Sequence, residues 1–371
     1  MISVVDEIKR LRSGKMRVDY NNNNRYCAVL DEDNGSKTVY YFTTPIYNIK
    51  TRRAIDLRFL KTDTAINFFG SNSIVTINND ITMQSDCGSC RVLMQEPVTY
   101  VCERKLKCGN STMYPTTNGL MFSTASDKIT FEIQTEAPIF DIRYNEKYFS
   151  VMSEKFRPFI TVSCIGAADR SGNIIAPAKI SYRKSEERKI TATVSACDTL
   201  AEKIMYEINM YEPKLIQDTT VESNNPTANN SFGSMAFIGN TRQYGEQWLY
   251  SRLDHSKLPE LIDRRVLKAV LYIPQYNLSN MPLGVFKVAA RFCSFGSNWN
   301  NKIPASQSIA TSESKDRYLN IDITRFLSDD SGRMVYTDGI IVKPQLKGAD
   351  FCAIATADSC YTPQIVEINY R

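Results

Sequence analysis

Histidine is almost absent from this chain, whose 371 residues include one, His255. A single imidazole excludes metal sites built from several histidines, and it leaves one candidate base for a Ser–His or Cys–His mechanism. Tryptophan is also scarce, with two residues. The net charge of +5 is mild and no stretch of Lys and Arg is dense, so we expect no nucleic-acid partner.

Signals of secretion and membrane insertion are missing as well. The first residues, MISVVDEIKRLRSGK, contain no uninterrupted apolar stretch and no small-residue cleavage site. No run approaches the ~20 apolar residues of a membrane helix. We therefore expect a protein that is made in the cytoplasm without a signal peptide, is soluble there and does not insert into a membrane.

Ten cysteines are too few for a disulfide scaffold in a chain of this length. Seven precede residue 215 and three follow it, and because both numbers are odd, complete pairing within each part is impossible. Cys27, Cys164, Cys197, Cys293 and Cys352 lie in apolar, strand-like runs. We expect buried, reduced thiols that behave as small hydrophobic side chains.

Residues 1–15 predict a short amphipathic helix. Val4, Ile8 and Leu11 fall on one face, and Gly14 follows the last basic side chains. Its apolar face has two interpretations that the sequence leaves open. Either the helix packs on its own domain, or it anchors the chain to a partner.

The rest of the chain predicts β-structure. Period-two patterns rich in β-branched and aromatic residues recur, as in AIDLRFLK (54–61) and IMYEINMY (204–211), and turn clusters separate them. Short strands with frequent turns are typical of β-sandwiches. A segment rich in Pro and Asn begins at Glu212 and marks a boundary. We predict an all-β protein of two jelly-roll-like β-sandwich domains, residues 16–214 and 215–371, behind the N-terminal helix.

The stretch ITMQSDCGSCRVLM (81–94) contains a motif that suggests chemistry. Cys87 and Cys90 have the spacing of redox dithiols and of one half of a zinc site. A redox pair needs a helix start, whereas RVLMQEP alternates like a strand, so we favour a β-hairpin with Gly88 in its turn. A zinc site would add Cys102 and Cys108, although their spacing is not that of a paired zinc knuckle. Zinc and redox chemistry remain the alternatives.

The C-terminal part, about residues 216–371, contains a series of segments that resembles the DNRLRE family. In chain order these are TTVESNNPTANNSFGSMAFIG (219–239), WLYSRLDHSKLPE (248–260), VLKAVLYIPQYN (266–277), GVFKVAARF (284–292), SNWNNKIP (297–304), YLNIDITRFLSDD (318–330), DGIIVKP (338–344) and FCAIATADSCYTPQIVEINY (351–370). Ser231, Phe232 and Gly233 stand where the family has an NYG-like loop. The acidic and Arg residues that name the family are mostly missing, and TADS (356–359) replaces its SRES.

The resemblance implies a jelly-roll-like β-sandwich used as a non-catalytic module. Such modules accompany carbohydrate-active enzymes, where some bind polysaccharides, and large surface or particle proteins. Trp299 with Asn300 and Asn301 forms the aromatic–amide cluster that we would test for a ligand, because aromatic faces stack on sugars and amides hydrogen-bond their hydroxyls. The alternative, which we favour, is that Trp299 covers the core beneath its loop.

Three functions follow as hypotheses. The first is a non-enzymatic structural or adhesive protein of a phage or phage-like particle, such as a fibre, baseplate or decoration component. The second is a carbohydrate-binding cell-surface module, and the third is a hydrolase with an unrecognised N-terminal site that would use His255.

We favour the particle protein, which needs no catalytic residue and no cofactor. It would reach a virion by lysis, bind other particle components and itself, and contact a polysaccharide through the C-terminal module. A trimer is expected only by analogy with fibres.

Overall fold

The structure is a computed structural model that describes residues 8, 17–18, 24–48, 50–51, 54–154, 157–254, 258, 261–277, 279, 281–311, 313–315, 317–335, 337–346, 348 and 350–371. Of the predicted N-terminal helix, Ile8 is described and the other residues lie outside this set, as does His255. Within the described part of the chain, no helix has the length and apolar character needed to cross a membrane.

Strands make up most of the described chain. The first twenty are β1 (Arg17–Val18), β2 (Cys27–Asp31), β3 (Lys37–Phe42), β4 (Leu60–Lys61), β5 (Ile66–Phe69), β6 (Ser73–Ile77), β7 (Ile81–Ser85), β8 (Gly88–Leu93), β9 (Val98–Cys102), β10 (Lys105–Cys108), β11 (Ser111–Pro115), β12 (Gly119–Thr124), β13 (Lys128–Thr135), β14 (Asp141–Asn145), β15 (Tyr148–Met152), β16 (Pro158–Ala168), β17 (Ile174–Ala176), β18 (Ala178–Glu186), β19 (Lys189–Ala196) and β20 (Lys203–Met210).

The remaining elements of the described residues are eleven strands and one short helix. They are β21 (Ile216–Glu222), β22 (Met235–Thr241), β23 (Gly245–Leu253), β24 (Val266–Pro274), β25 (Leu283–Val288), β26 (Ala305–Thr311), β27 (Glu313–Lys315), β28 (Tyr318–Asp322), α1 (Thr324–Leu327), β29 (Ile340–Pro344), β30 (Phe351–Ala355) and β31 (Ile365–Tyr370).

These strands form four antiparallel sheets. In spatial order, sheet I is β18-β19-β13-β8-β7-β6-β5-β4, sheet II is β14-β15-β16-β20-β12-β11-β10-β9 with β17 beside β16, sheet III is β26-β25-β29-β23-β22-β30 with β21 beside β23, and sheet IV is β1-β2-β3-β31-β24-β28-β27. Sheets I and II enclose one hydrophobic core and sheets III and IV another. The predicted all-β fold of two sandwiches is confirmed.

Strand alternation supplies the core of the first sandwich. In β20, Ile204, Tyr206 and Ile208 face this core. The Tyr206 ring stacks on Phe122 of the neighbouring strand, with centroids 4.9 Å apart, and on Phe131 of sheet I, with centroids 5.3 Å apart. The stacked rings join the two sheets of the sandwich.

The two sandwiches also pack against each other, so the four sheets form one stack. Met121 and Met205 of sheet II share an apolar cluster with Met235 and Phe237 of sheet III. These side chains come from the faces of their strands that point away from the two cores. Strands such as β20 and β22 are therefore buried on both faces.

The first strands of the chain lie in the same sheet as the last strand, sheet IV. This arrangement differs from the predicted domain of residues 16–214. Strand β3 pairs antiparallel with β31, with Phe42 opposite Ile365. Cys27 and Val29 of β2 lie in the core of the second sandwich, where Val366 and Ile368 also lie. Strands β1, β2 and β3 thus belong to the sheet of the C-terminal strands, because the apolar face of β31 is completed by strands from the other end of the chain.

Ile8 lies on the outer face of sheet IV. Its side chain is 3% exposed and belongs to a cluster with Leu30, Tyr40 and Phe42. At this position the chain packs on itself.

The predicted strand AIDLRFLK differs from the observed structure, in which only Leu60 and Lys61 form a strand. Ile55 and Phe59 are nevertheless buried, and Arg58 lies beside Asp56 at the surface. The Phe59 amide donates to the Glu103 carbonyl oxygen in the turn between β9 and β10. The alternation therefore reflects burial beneath the edge of the sandwich and not pairing in a sheet.

The sheet IV pairing predicts that residues 215–371 do not fold alone, because β31 then exposes its apolar residues along an open edge. We expect this fragment to lack dispersed amide signals in NMR spectra and to aggregate. Residues 43–214, which contain all of sheets I and II, should fold. Appending residues 17–44 to the C-terminal fragment through a glycine-rich linker should restore its fold. Cooperative unfolding of the bare fragment would contradict this arrangement.

Candidate functional site

The CGSC motif forms the turn of a β-hairpin, as predicted. Strands β7 and β8 pair antiparallel, with Ser85 opposite Gly88. Gly88 has φ +149°, a backbone conformation that other residues rarely adopt, which explains the glycine of the motif. Burial raises the pKa of the Cys90 thiol to about 12, the opposite of what a redox thiol requires.

The four cysteines of the zinc alternative are dispersed between the sheets of the first sandwich. Cys87 and Cys102 are exposed, whereas Cys90 lies in the core on sheet I and Cys108 on sheet II. The Cys108 thiol donates to the Glu96 carbonyl oxygen over 2.9 Å. All ten cysteines are free thiols, and the described residues contain no cluster of three or more His, Cys, Asp or Glu side chains able to hold a metal.

A buried polar contact joins the two sandwiches at Glu207 of β20. Its side chain is fully buried and faces away from the core of the first sandwich. One carboxylate oxygen accepts from the Ser359 hydroxyl over 2.8 Å. The other accepts from the Cys360 amide over 2.9 Å and from the Asn209 side chain over 2.5 Å. Burial raises the pKa of Glu207, and these hydrogen bonds oppose the rise.

Residues 356–362, between β30 and β31, form the junction loop on the other side of this contact. The Thr117 amide of the first sandwich donates to the Cys360 carbonyl oxygen over 3.1 Å. Within the second sandwich, Asp218 accepts from the Ala357 amide over 2.5 Å, and Thr362 is 2.5 Å from the Tyr276 hydroxyl. The TADS segment, where the sequence departs from the DNRLRE pattern, therefore begins the loop that holds the sandwiches together.

The junction contains more acidic than basic groups. Burial raises the pKa of Asp358 to about 7; Lys214 lowers it in part and the charge of Glu207 adds to the rise. Burial and the charge of Asp358 raise the pKa of Asp218 well above its usual range. The Lys214 ammonium lies 3.3 Å from the Cys360 sulfur. Low pH therefore stabilises the junction, because protonated carboxyls avoid the cost of burying several negative charges close together.

A second buried contact crosses between the sandwiches at the β14–β15 turn. Lys147 forms an ion pair with Glu222 of β21, and both side chains are less than 5% exposed. The Lys147 ammonium also lies 4.2 Å from the centroid of the Tyr244 ring. A charge pair this deeply buried fixes the relative position of the two bodies, since separation would leave both charges without a partner.

The cavity at this junction is small. It is lined by Lys214, Asp358 and Cys360, among others, and its volume is about 20 Å³. That is room for about one water molecule and not for a sugar or a metabolite. The polar cluster is therefore a structural junction.

The two tryptophans of the chain meet at the surface of sheet III. Trp248 of β23 and Trp299 of the loop 289–304 are half-buried, with ring centroids 5.4 Å apart. The Lys302 ammonium lies 3.9 Å from the Trp299 centroid, and that of Lys343 lies 4.7 Å from the Trp248 centroid and 4.6 Å from that of Phe286. We call Trp248, Trp299, Phe286, Lys302 and Lys343 the tryptophan platform.

The two predicted asparagines differ in their surroundings. Asn300 and Asn301 are both exposed. The Asn301 side chain is used within its loop, because it accepts from the Asn298 amide over 2.7 Å and donates to the Gly296 carbonyl oxygen over 2.9 Å. Trp299 packs on the apolar cluster beneath its loop and is not fully covered by it. Both interpretations of Trp299 remain compatible with this position.

Sequence reasoning missed the partners of Trp299. Trp248 lies opposite Lys343 in the ladder of β23 and β29, because Leu249 pairs with Val342. Lys302 follows Trp299 closely in its loop and donates to the Trp299 carbonyl oxygen. The sequence offered one signal of the contact with Trp248. Tryptophan is scarce, and Trp248, the only other tryptophan of the chain, lies in a predicted strand.

A shallow groove on the outside of sheet I is a further concave feature of the described residues. Asp80, Arg91, Gln134, Glu136 and Arg188 contribute to its lining, together with small polar side chains. Its lining includes no aromatic ring, and charges of both signs are spread along it. It therefore offers less for a sugar or an apolar ligand than the tryptophan platform does.

Replacing Glu207 by alanine should destabilise the protein by about 3 kcal/mol, because three donors lose their acceptor inside the junction. Urea unfolding followed by circular dichroism measures this loss. Glu207→Gln, which keeps the side-chain shape, should cost less. The exposed Glu202→Ala is the matched control and should be nearly neutral. Equal losses for Glu202→Ala and Glu207→Ala would contradict the role of this contact.

The raised pKa of Asp358 predicts a pH-dependent stability. Between about pH 4, the ordinary carboxyl pKa, and pH 7, the folded protein holds a proton that the unfolded chain releases, so stability should fall as pH rises through this window. Asp358→Asn should flatten the dependence of the urea midpoint on pH, whereas the exposed Asp127→Asn should not. Parallel pH profiles for wild type and Asp358→Asn would refute this assignment.

Comparison with known proteins does not test the resemblance of the C-terminal part to the DNRLRE family. No protein-family model matches the chain, and a search of curated proteins finds no match. The resemblance of residues 216–371 to the DNRLRE family stays a prediction from the motifs quoted above.

Proposed function

We propose that the chain is a non-enzymatic structural and adhesive protein of a phage or phage-like particle. In this role it is a fibre, baseplate or decoration component that reaches the virion by lysis. It associates with itself and with other particle components, and its C-terminal sandwich is exposed for contact with a surface or a glycan.

The observation that carries this proposal is the junction between the sandwiches. Glu207 and the Lys147–Glu222 pair are buried polar contacts, and an apolar cluster surrounds them. Interfaces between independent domains are usually small and permit motion, whereas buried, directional contacts oppose it. A body of fixed shape suits a component that must hold a binding surface in one position on a particle.

A second candidate is a carbohydrate-binding cell-surface module, and the tryptophan platform favours it. Its indole rings are half-exposed and lie beside the exposed Asn300. Aromatic rings and amide side chains bind sugars in many proteins. The two candidates coexist if the particle component carries the glycan site. They differ in self-association, which only the particle role requires.

Light scattering on the full chain tests the particle role. We expect a defined homo-oligomer, with a mass that is an integral multiple of 42.1 kDa and, by analogy with fibres, a trimer. A sample without residues 1–15 locates the association. A fall to the monomer mass assigns it to that segment, and an unchanged mass assigns it to the sandwiches.

A monomer across a wide concentration range would contradict the self-assembling particle component. The carbohydrate-binding module would then become the leading function. Glycan binding by the full chain is therefore measured on the same samples.

A further inference from the structure

The tryptophan platform combines aromatic rings with positive charge. Lys302 lies over Trp299 and within 5.6 Å of the Trp248 centroid, so both indoles carry an ammonium near their rings. Phe286 extends the surface beside Lys343. All five side chains are half-buried and retain surface for a ligand.

The two ammonium groups of this surface, those of Lys302 and Lys343, have no salt-bridge partner within the described chain. One carboxylate contacts the platform directly, because Glu246 accepts a hydrogen bond from the Trp248 indole over 2.8 Å. The platform therefore pairs two ammonium groups with apolar ring surface, which is complementary to a ligand that has one apolar face and a negative charge.

We propose that the tryptophan platform binds a carboxylate-bearing sugar unit of an acidic polysaccharide. The apolar face of the pyranose ring packs on the exposed indole surface, and the sugar carboxylate accepts hydrogen bonds from Lys302 and Lys343. This assignment rests on the proposed glycan contact and narrows it to uronic acids and related acidic sugars. Neutral sugars lack the carboxylate and gain only the stacking contact.

The composition of the chain provides a site-specific readout. Trp248 and Trp299 are its only tryptophans, so fluorescence excited selectively in the indole band reports on the platform alone. The probe is an oligogalacturonate, titrated into the full chain at low salt. Its methyl ester is the matched neutral ligand, because it keeps the ring shape and removes the negative charge.

Glutamine substitutions separate charge from packing. Lys302→Gln and Lys343→Gln keep a long side chain against the rings and remove the ammonium groups. Lys268→Gln, at an exposed position on β24, is the control for the loss of a surface charge elsewhere. Circular dichroism spectra identical to wild type establish that each variant is folded.

We expect oligogalacturonate to quench the fluorescence saturably and the methyl ester to bind at least about tenfold more weakly. The double variant Lys302→Gln/Lys343→Gln should lose a similar factor, Lys268→Gln should lose none, and added salt should weaken the wild-type binding.

Equal affinity for the acid and its ester would overturn the acidic class and leave the glycan contact standing. The same would follow if the double variant bound like wild type. No quenching by oligogalacturonate, oligomannuronate or a sialic-acid oligosaccharide would overturn the site. A defined homo-oligomer in those same samples would show that the particle role has not failed with it.

Discussion

The burial of the Glu207 carboxylate is the constraint on which the arrangement of the two sandwiches depends. A charged or hydrogen-bonding group without access to water is stable only where its oxygens find donors. Two of its three donors come from the junction loop of the other sandwich. The surrounding apolar cluster contributes attraction without direction, whereas the hydrogen bonds fix distance and angle. The relative position of the sandwiches is therefore specified by polar contacts inside an apolar contact surface.

This constraint explains the composition of the two middle sheets. β20 and β22 each serve a sandwich core with one face and the contact between sandwiches with the other. Neither face is free to be generally polar, so polar residues persist there only with a partner. Asn209 is an example, because its side chain forms hydrogen bonds with both Glu207 and Thr116. The outer sheets I and IV lie at the two ends of the stack.

Local sequence patterns predicted the elements better than their partners. The hairpin of β7 and β8 could be predicted because alternation and turn residues are adjacent in the chain. The pairing of β3 with β31 could not, since no local pattern links strands at opposite ends of the sequence. Trp299 was visible as a candidate, but the packing of Trp248 against it depends on the path of the loop 289–304. Glu207 left a weak signal, a carboxylate within the otherwise mainly apolar run IMYEINMY.

The pairing of the chain ends imposes an order on biosynthesis. β2 and β3 are synthesised before the strands of the first sandwich, yet the edge of β3 is completed only after β31 has been synthesised. The first sandwich has all its strands long before that and can fold while synthesis continues. The nascent N-terminal hairpin must meanwhile stay unpaired along one edge, open to pairing with other chains. A truncated translation product would thus carry a complete first sandwich and an unprotected hairpin.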